Sequence, residues 1–249
     1  MPEQRRFGGI ARLYGAAGAA RIAAAHVAVV GVGGVGSWVS EALARSGVGR
    51  LTLIDMDHVA ESNMNRQLPA LDATLGMLKA GVLAQRARQI NPGLEARVVD
   101  DFVASDNLAD LITPEFDWVM DCIDNFRVKA AMIAHCRRSR QAIITVGAAG
   151  GQVDPTRVRV SDLRRTEQDA LLARTRRLLR QEYGFPANPR RSFGIPAAWS
   201  DEPVRVSRGC EAQGDSSLNC AGYGACMPVT AGMGMAAAGH VLRELAGVS

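Results

Sequence analysis

The feature that most narrows the possible folds is the run Gly31-Val32-Gly33-Gly34-Val35-Gly36-Ser37. Before it stands His26-Val-Ala-Val-Val, a short apolar run that reads as a buried parallel strand, and residues 36–46 after it are helix formers. Glycines at a strand-to-helix turn leave the backbone bare, so a phosphate can approach the loop amides and the positive end of the helix. The same turn can also exist for packing alone. Asp55 closes a second apolar run, Arg50–Ile54, about 20 residues past the glycines, where a carboxylate accepts hydrogen bonds from ribose hydroxyls. An exposed strand-end aspartate is the plainer alternative, and at this point NAD and ATP fit equally well.

Further strands are predicted at 95–99, 117–121 and 142–146, and helices at 8–24, about 74–90, 105–112 and 126–138. This alternation predicts an α/β fold, a Rossmann-like, doubly wound and mainly parallel sheet with ligands at the carboxyl ends of its strands. After Gly150 the texture changes. Gln152–Val160 alternates as an antiparallel strand does, and Leu163–Gln181 reads as an arginine-rich helix. Residues 184–203 read as a loop punctuated by Pro and Gly, 207–226 are polar, and 229–246 read as a packing helix. The expected organisation is a nucleotide-binding core over 1–150 and a C-terminal antiparallel and helical elaboration over 151–249, continuous with it as a single domain.

With 249 residues, 47% of them apolar and 22% charged, the chain can bury a core and is not disordered. No run of about 18 uncharged apolar residues exists, so no membrane span is expected. Arg5-Arg6-Phe7 superficially offers a twin-arginine signal, but Arg12 and Arg21 interrupt the alanine-rich stretch behind it, and no export signal is read. The five cysteines form no C-x-x-C pair, which argues against a disulfide scaffold and a four-cysteine zinc site. The expectation is a reduced, cytoplasmic protein without zinc.

The choice between nucleotides rests on what surrounds the glycines. Asp57, Asn63 and Arg66 follow Asp55 closely, the helix from about 74 brings Lys79 in its second turn, and a strand ending at Asp121 leads to Asp124. A triphosphate with magnesium needs cations for its oxygens and a hard carboxylate for the metal, which Arg66, Lys79 and Asp124 could supply. A dinucleotide oxidoreductase has no comparable need. A lone lysine on a helix is usually solvated, yet of 29 basic residues only Lys79 and Lys129 are lysines.

Taken together, Gly31-x-Gly33-Gly34-x-Gly36-Ser37, Asp55-x-Asp57, Ser62-Asn63-x-x-Arg66-Gln67, Leu78-Lys79-Ala80 and Asp121-Cys-x-Asp124-Asn125 resemble the motifs of the ubiquitin-activating-enzyme-like superfamily. The resemblance implies an enzyme that binds ATP and magnesium and adenylates a carboxylate. It implies that Gly31, Gly33, Gly34, Gly36, Ser37, Asp55, Asp57, Asn63, Arg66, Gln67 and Lys79 bind ATP, with Asp55 on the ribose, and that Asp124 holds magnesium directly or through water. The members that activate sulfur-carrier proteins usually carry two C-x-x-C pairs, which are absent here. Their start places an arginine on the partner subunit's ATP, a part open here to Arg6 or Arg12.

Over nearly its whole length the chain is more similar to one branch, the tRNA threonylcarbamoyladenosine dehydratases. Arg6-Phe-Gly-Gly-Ile-Ala-Arg-Leu-Tyr-Gly15, Gly150-Gly-Gln-Val-Asp-Pro155, the helix over 161–183 and Leu218-Asn-Cys-Ala-Gly-Tyr-Gly224 carry that similarity. It implies ATP-dependent cyclisation, with loss of water, of a modified adenosine beside the tRNA anticodon. Activation of a sulfur-carrier or ubiquitin-like protein is the alternative, and a nucleotide-binding scaffold without turnover is a reading from another class. Cys220, in a polar Gly-rich segment, is the candidate for a covalent thioester, although cysteines are commonly inert packing residues. Residues 156–191 hold ten arginines against four acids. Arg164, Arg165, Arg174, Arg176, Arg177 and Arg180 lie on or just before the basic helix, where they could follow an RNA backbone or simply be solvated. Tyr183, Phe185 and Trp199 could stack on bases or belong to the core. The superfamily's habits suggest a homodimer, and a sulfur-transfer partner follows by resemblance only.

Overall fold

The apolar run before the glycines lies inside the sheet. In a computed structural model, which describes residues 2–188, 190–205 and 223–248, all five residues of β1 (His26–Val30) are buried. Val27 and Val29 pack into one core and Ala28 and Val30 into the other, the two-residue alternation of a strand covered on both faces. Around it stand β2 (Arg50–Ile54), β3 (Glu95–Val99), β4 (Trp118–Asp121), β5 (Ile143–Val146), β6 (Val158–Asp162) and β7 (Pro196–Ser200) in the order β3-β2-β1-β4-β5-β7-β6. β1 to β5 and β7 run parallel; β6 runs antiparallel to β7. The fold is therefore the doubly wound, mainly parallel α/β sheet expected. Its strand order reverses between β1 and β4, where such sheets open a crevice at their carboxyl ends.

The helices are α1 (Pro2–Ala24), α2 (Gly36–Arg45), α3 (Lys79–Ile90), α4 (Leu108–Leu111), α5 (Phe126–Ser139), α6 (Ala170–Glu182) and α7 (Met227–Ala246). α2, α3 and α7 contribute to the core on one face of the sheet, and α5 and α6 to the core on the other. α1 breaks at Gly15, and its second half is tied to the end of α7, where Arg21 donates to the carbonyls of Leu245 and Ala246.

Several boundaries differ from the expectation: α1, expected from residue 8, already starts at Pro2, and α4, expected over 105–112, spans Leu108–Leu111. The helix placed at about 74 begins at Lys79, because residues 76–79 fold back on the loop after β2: Gly76 donates to the Val59 carbonyl and Lys79 to that of Asp57. Lys79 thus opens the helix rather than standing in its second turn. The strand placed over Gln152–Val160 starts at Val158, behind a 3-10 turn at Pro155–Arg157 in which the Asp154 side chain accepts the Thr156 amide. The helix placed from Leu163 starts at Ala170; Leu163–Arg165 is a separate 3-10 turn capped by Asp162, and Asp169 caps α6 through the Leu172 amide. Part of the 184–203 loop is β7, whose Ala197 and Ala198 are fully buried.

α2 is locked to α3 by one acid. Glu41, 7% exposed, accepts both Arg86 Nε and Nη2 at 2.7 and 2.9 Å and Arg45 Nε at 2.7 Å. Burial alone would raise its carboxyl, but Arg86 and then Arg45 hold it below the ordinary value of 4.5. A group whose folded pKa is depressed contributes stability above its unfolded pKa and loses it as pH falls through the folded value. Glu41→Gln is expected to cost roughly 1.5–3 kcal/mol at pH 7 in urea unfolding, the range for hydrogen bonds to charged groups. The gap to the parent chain should close below pH 4.5; a pH-independent gap would mean that Glu41 acts through packing.

Candidate functional site

The crevice at the strand-order reversal is a cleft of about 480 Å³. Its first wall is the glycine turn. Gly31 leaves β1 at φ 79°, in the left-handed region, and its amide donates to the Ile54 carbonyl at 3.0 Å. A Cβ on Gly36 would lie 1.9 Å from the Gly31 oxygen, so only glycine lets α2 begin this close to the strand. Asp55 ties the turn to β2. Its Oδ2 accepts the Val32 amide at 2.7 Å and its Oδ1 the Asp57 amide at 2.8 Å. Burial raises its carboxyl above the ordinary value against the pull of those two amides.

The second wall is the loop after β2. Asn63 is held by the Ala60 amide on its Oδ1 at 3.1 Å. Arg66 donates to the Ser62 carbonyl at 2.7 Å, while its own carbonyl accepts the Trp38 indole at 3.0 Å and the Thr230 hydroxyl at 3.4 Å. Gln67 is buried with an Oε1 that has no hydrogen-bond partner among the described residues. Lys79, 5% exposed, holds its Nζ 2.8 Å from Asp57 Oδ2. The third wall is the end of β4 and its continuation, Cys122-Ile123-Asp124-Asn125, with Asn125 capping α5 through the amides of Arg127 and Val128.

Gly31, Gly33, Gly34, Asp55, Asp57, Asn63, Arg66, Gln67, Lys79 and Asp124 thus line one cleft. Gly36 and Ser37 do not. Gly36 packs on the Gly31 carbonyl, and Ser37 is fully buried with its hydroxyl accepting the Leu68 amide at 3.3 Å. The cleft offers loop amides, a helix start, two cations and a hard carboxylate, the set that a nucleotide polyphosphate needs. Asp124, expected to hold magnesium, is exposed and lines the cleft together with Asp55 and Asp57. No group of three or more His, Cys, Asp or Glu side chains that could hold a metal occurs among the described residues.

Under the cleft lies a charged cluster to which the sequence reading gave no role. Lys129 and Asp121 are both fully buried, with Nζ 2.8 Å from Oδ1. The ammonium also donates to the Asp121 carbonyl at 3.3 Å and to Thr145 Oγ1 at 3.1 Å, and Thr145 donates to Asp121 Oδ2 at 2.7 Å. Desolvation and the Asp121 charge push the Cys122 thiol up to about 12, so it stays protonated as a packing group. Lys129 was conspicuous as one of two lysines; its partner, eight positions earlier and across a turn, leaves no periodic signal. Phe102, Ala148, Leu171 and Thr230 also line the cleft and went unpredicted.

The six arginines are not one stripe. Arg165, Arg174 and Arg177 are exposed. Arg176 is half-buried with its guanidinium on the Thr166 hydroxyl, and burial lowers its pKa. Arg180 bonds the Pro186 carbonyl and lies over Phe193, and Arg164 is half-buried. Phe185 and Trp199 are core residues, and Tyr183 is half-buried against the same core. Arg6 and Arg12 are both exposed, and Arg6 donates to the Gln89 and Ile90 carbonyls at the end of α3. Cys220 lies outside the described residues. No helix among those residues is long and apolar enough to cross a membrane.

The sequence model of the ThiF family matches residues 8–248. The tRNA threonylcarbamoyladenosine dehydratase of Haemophilus influenzae is 46% identical over 246 residues, covering 97% of this chain and 94% of that one. Crystal structures of the Escherichia coli tRNA N6-threonylcarbamoyladenosine dehydratase in complex with ATP and with AMP each superpose with a TM-score of 0.89 at 45% identity, over 97% of this chain and 94% of theirs.

Removing Lys129 would leave the Asp121 carboxylate buried without its counter-ion. Lys129→Met is therefore expected to cost about 3–5 kcal/mol in urea unfolding. Adding Asp121→Asn, which removes the stranded charge, should return more than half of that. A single variant as stable as the parent would show that the pair does not hold the site together.

Proposed function

The chain belongs to the ThiF family, and from that premise we propose that it is an ATP-dependent tRNA threonylcarbamoyladenosine dehydratase. The observation that carries this reading is the convergence of Arg66, Lys79 and Asp124 on the glycine-walled cleft, in a chain similar to dehydratases over nearly its whole length.

A carboxylate resists attack because it is negatively charged and would have to expel oxide. The threonyl carboxylate of the modified adenosine attacks the α-phosphorus of ATP in line; an O–P bond forms and pyrophosphate leaves. The carboxyl carbon now bears AMP as a leaving group, and an internal nucleophile of the threonylcarbamoyl group displaces it. The ring closes, and over both steps the nucleoside loses one water.

The protein's work is positioning and charge stabilisation. Asp55, whose oxygens already face the loop amides, takes the ribose. Arg66, Lys79, Asn63 and Gln67 take the phosphates with the bare amides around Gly33 and Gly34. Asp57 holds the Lys79 ammonium at the cleft before ATP arrives. Magnesium usually keeps several waters and takes one or two carboxylates plus phosphates, which fits a single Asp124 at the cleft; when bound it would neutralise phosphate charge. In a homodimer, Arg12 is the arginine that reaches the partner's ATP, since Arg6 is engaged on α3. The tRNA is held by the exposed Arg165, Arg174 and Arg177, while Arg164, Arg176 and Arg180 serve the fold. Such an enzyme works in the cytoplasm, where its tRNA is.

Incubated with ATP, magnesium and threonylcarbamoylated tRNA, the protein should yield a nucleoside lighter by one water in mass spectrometry. Lys79→Ala and Arg66→Ala should each slow that conversion by on the order of a hundredfold or more, with melting unchanged. Unaltered nucleoside mass with the parent chain would overturn the assignment; full activity of Lys79→Ala would remove its phosphate role.

A further inference from the structure

At the rim of the cleft an aromatic ring lies near two arginines. Phe126 is the first residue of α5, directly after the cleft-lining Asp124 and Asn125. Its half-buried ring has the Arg127 guanidinium 5.5 Å from its centroid and the Arg174 guanidinium 5.9 Å from it. Val128, beside Arg127, lines the cleft, and so does Leu171, one helical turn before Arg174. The group therefore spans the junction of α5 and α6 at the cleft's edge. Both arginines are exposed, and neither forms an ion pair among the described residues. Arg176 and Arg180 on the same helix, by contrast, are tied to Thr166 and Pro186. Arg177, three positions past Arg174, extends the exposed charge away from the cleft.

A cleft of about 480 Å³ admits a nucleotide but not the chain on either side of a modified base. The neighbours of that base must lie on the rim. Arginine forks bind phosphates bidentately, and an aromatic face accepts any unpaired base. On the strength of the dehydratase reading, we propose that Phe126, Arg127 and Arg174 form the platform that holds the nucleotide adjoining the modified adenosine. The ring stacks on its base, and the two guanidiniums take the flanking phosphates, with Arg177 continuing the track.

The test compares Arg127→Gln/Arg174→Gln, Phe126→Leu and a control of equal charge loss, Arg138→Gln/Arg191→Gln, in the full-length protein. Arg138 is an exposed residue in the last turn of α5, at the other end of the helix from Phe126, and Arg191 is an exposed residue two positions before Phe193, which packs on Arg180 in the last turn of α6. The parent must first convert threonylcarbamoylated tRNA; if it does not, the dehydratase reading itself fails. Given conversion, Phe126→Leu and the rim double variant should each raise the KM for tRNA on the order of tenfold, with the KM for ATP unchanged. In the rim double variant, the slope of log Kd for tRNA against log salt should fall by about two, one per lost phosphate contact. The control should change neither. Unchanged KM and salt slope in the rim variant would overturn the proposal and leave the patch to an acidic protein partner. An equal effect of the control would reduce it to net charge and overturn it as well.

Discussion

The buried contact between Lys129 and Asp121 supports the site from below. It joins α5 to the end of β4, and through Thr145 it reaches β5. Its reach extends to the start of α6, where the charge of Lys129 opposes the burial that raises the Asp169 carboxyl. Asp169 in turn holds the Ala148 amide at 2.9 Å in the segment that closes the cleft after β5. A single ammonium thus sits beneath two strand ends and two helix starts. Taking two charges out of water is costly, and the pair is sustained by the 2.8 Å ion contact at Asp121 Oδ1, which makes no hydrogen bond among the described residues, and by the hydrogen bonds that Thr145 shares with both side chains. What it supplies is position: the segment bearing Asp124 leaves β4 directly above it.

Above that floor the polar atoms are distributed differently. Asp55 spends both oxygens on amides of the glycine turn and its own loop, and Trp38 and Thr230 hold the Arg66 carbonyl. These contacts fix the backbone around the cleft, while the cations that line it pair with exposed or neighbouring groups. Lys79 donates to one oxygen of the exposed Asp57 carboxylate, and Arg66 to the Ser62 carbonyl and the Asn65 side chain beside it in sequence. A site that binds a highly charged substrate gains from donors already aimed and only lightly engaged, because little must be broken when the phosphates arrive.

How much of this could be read from the sequence depended on whether a feature was local. The glycine turn, β1, β2 and Asp55 were legible because a strand, a turn and a helix occur in unbroken succession there. β7 was not, because Pro196-Ala-Ala-Trp-Ser has little strand propensity and owes its form to insertion between β5 and β6. The start of α3 was misplaced because long-range bonds to Asp57 and Val59 override the helical propensity of residues 74–78. The arginines of α6 show a subtler failure. Their number indicated a basic helix, but Leu172, Arg176 and Arg180 form one row four residues apart that begins in the core, whereas Arg174 and Arg177 form another that faces solvent. Charge was visible in the sequence; which charge the fold consumes was not.

The same distinction explains the two lysines. A chain with 29 basic residues uses lysine only where the cation is buried, Lys79 at 5% exposure and Lys129 at none. An arginine fork is planar and spreads its donors over a wide edge, which suits a carboxylate met edge-on, as Arg86 meets Glu41. The acceptors around Lys129 are instead Asp121 Oδ1, the Asp121 carbonyl and Thr145 Oγ1, three atoms on two strands gathered about one point. A compact ammonium with three donors satisfies such a cage, and a guanidinium would overfill it. Lys79 likewise reaches from the first residue of α3 to a single Asp57 oxygen at the cleft. Lysine has survived in this chain where the fold demands a point charge, and both such points serve the same cleft, one inside it and one beneath it.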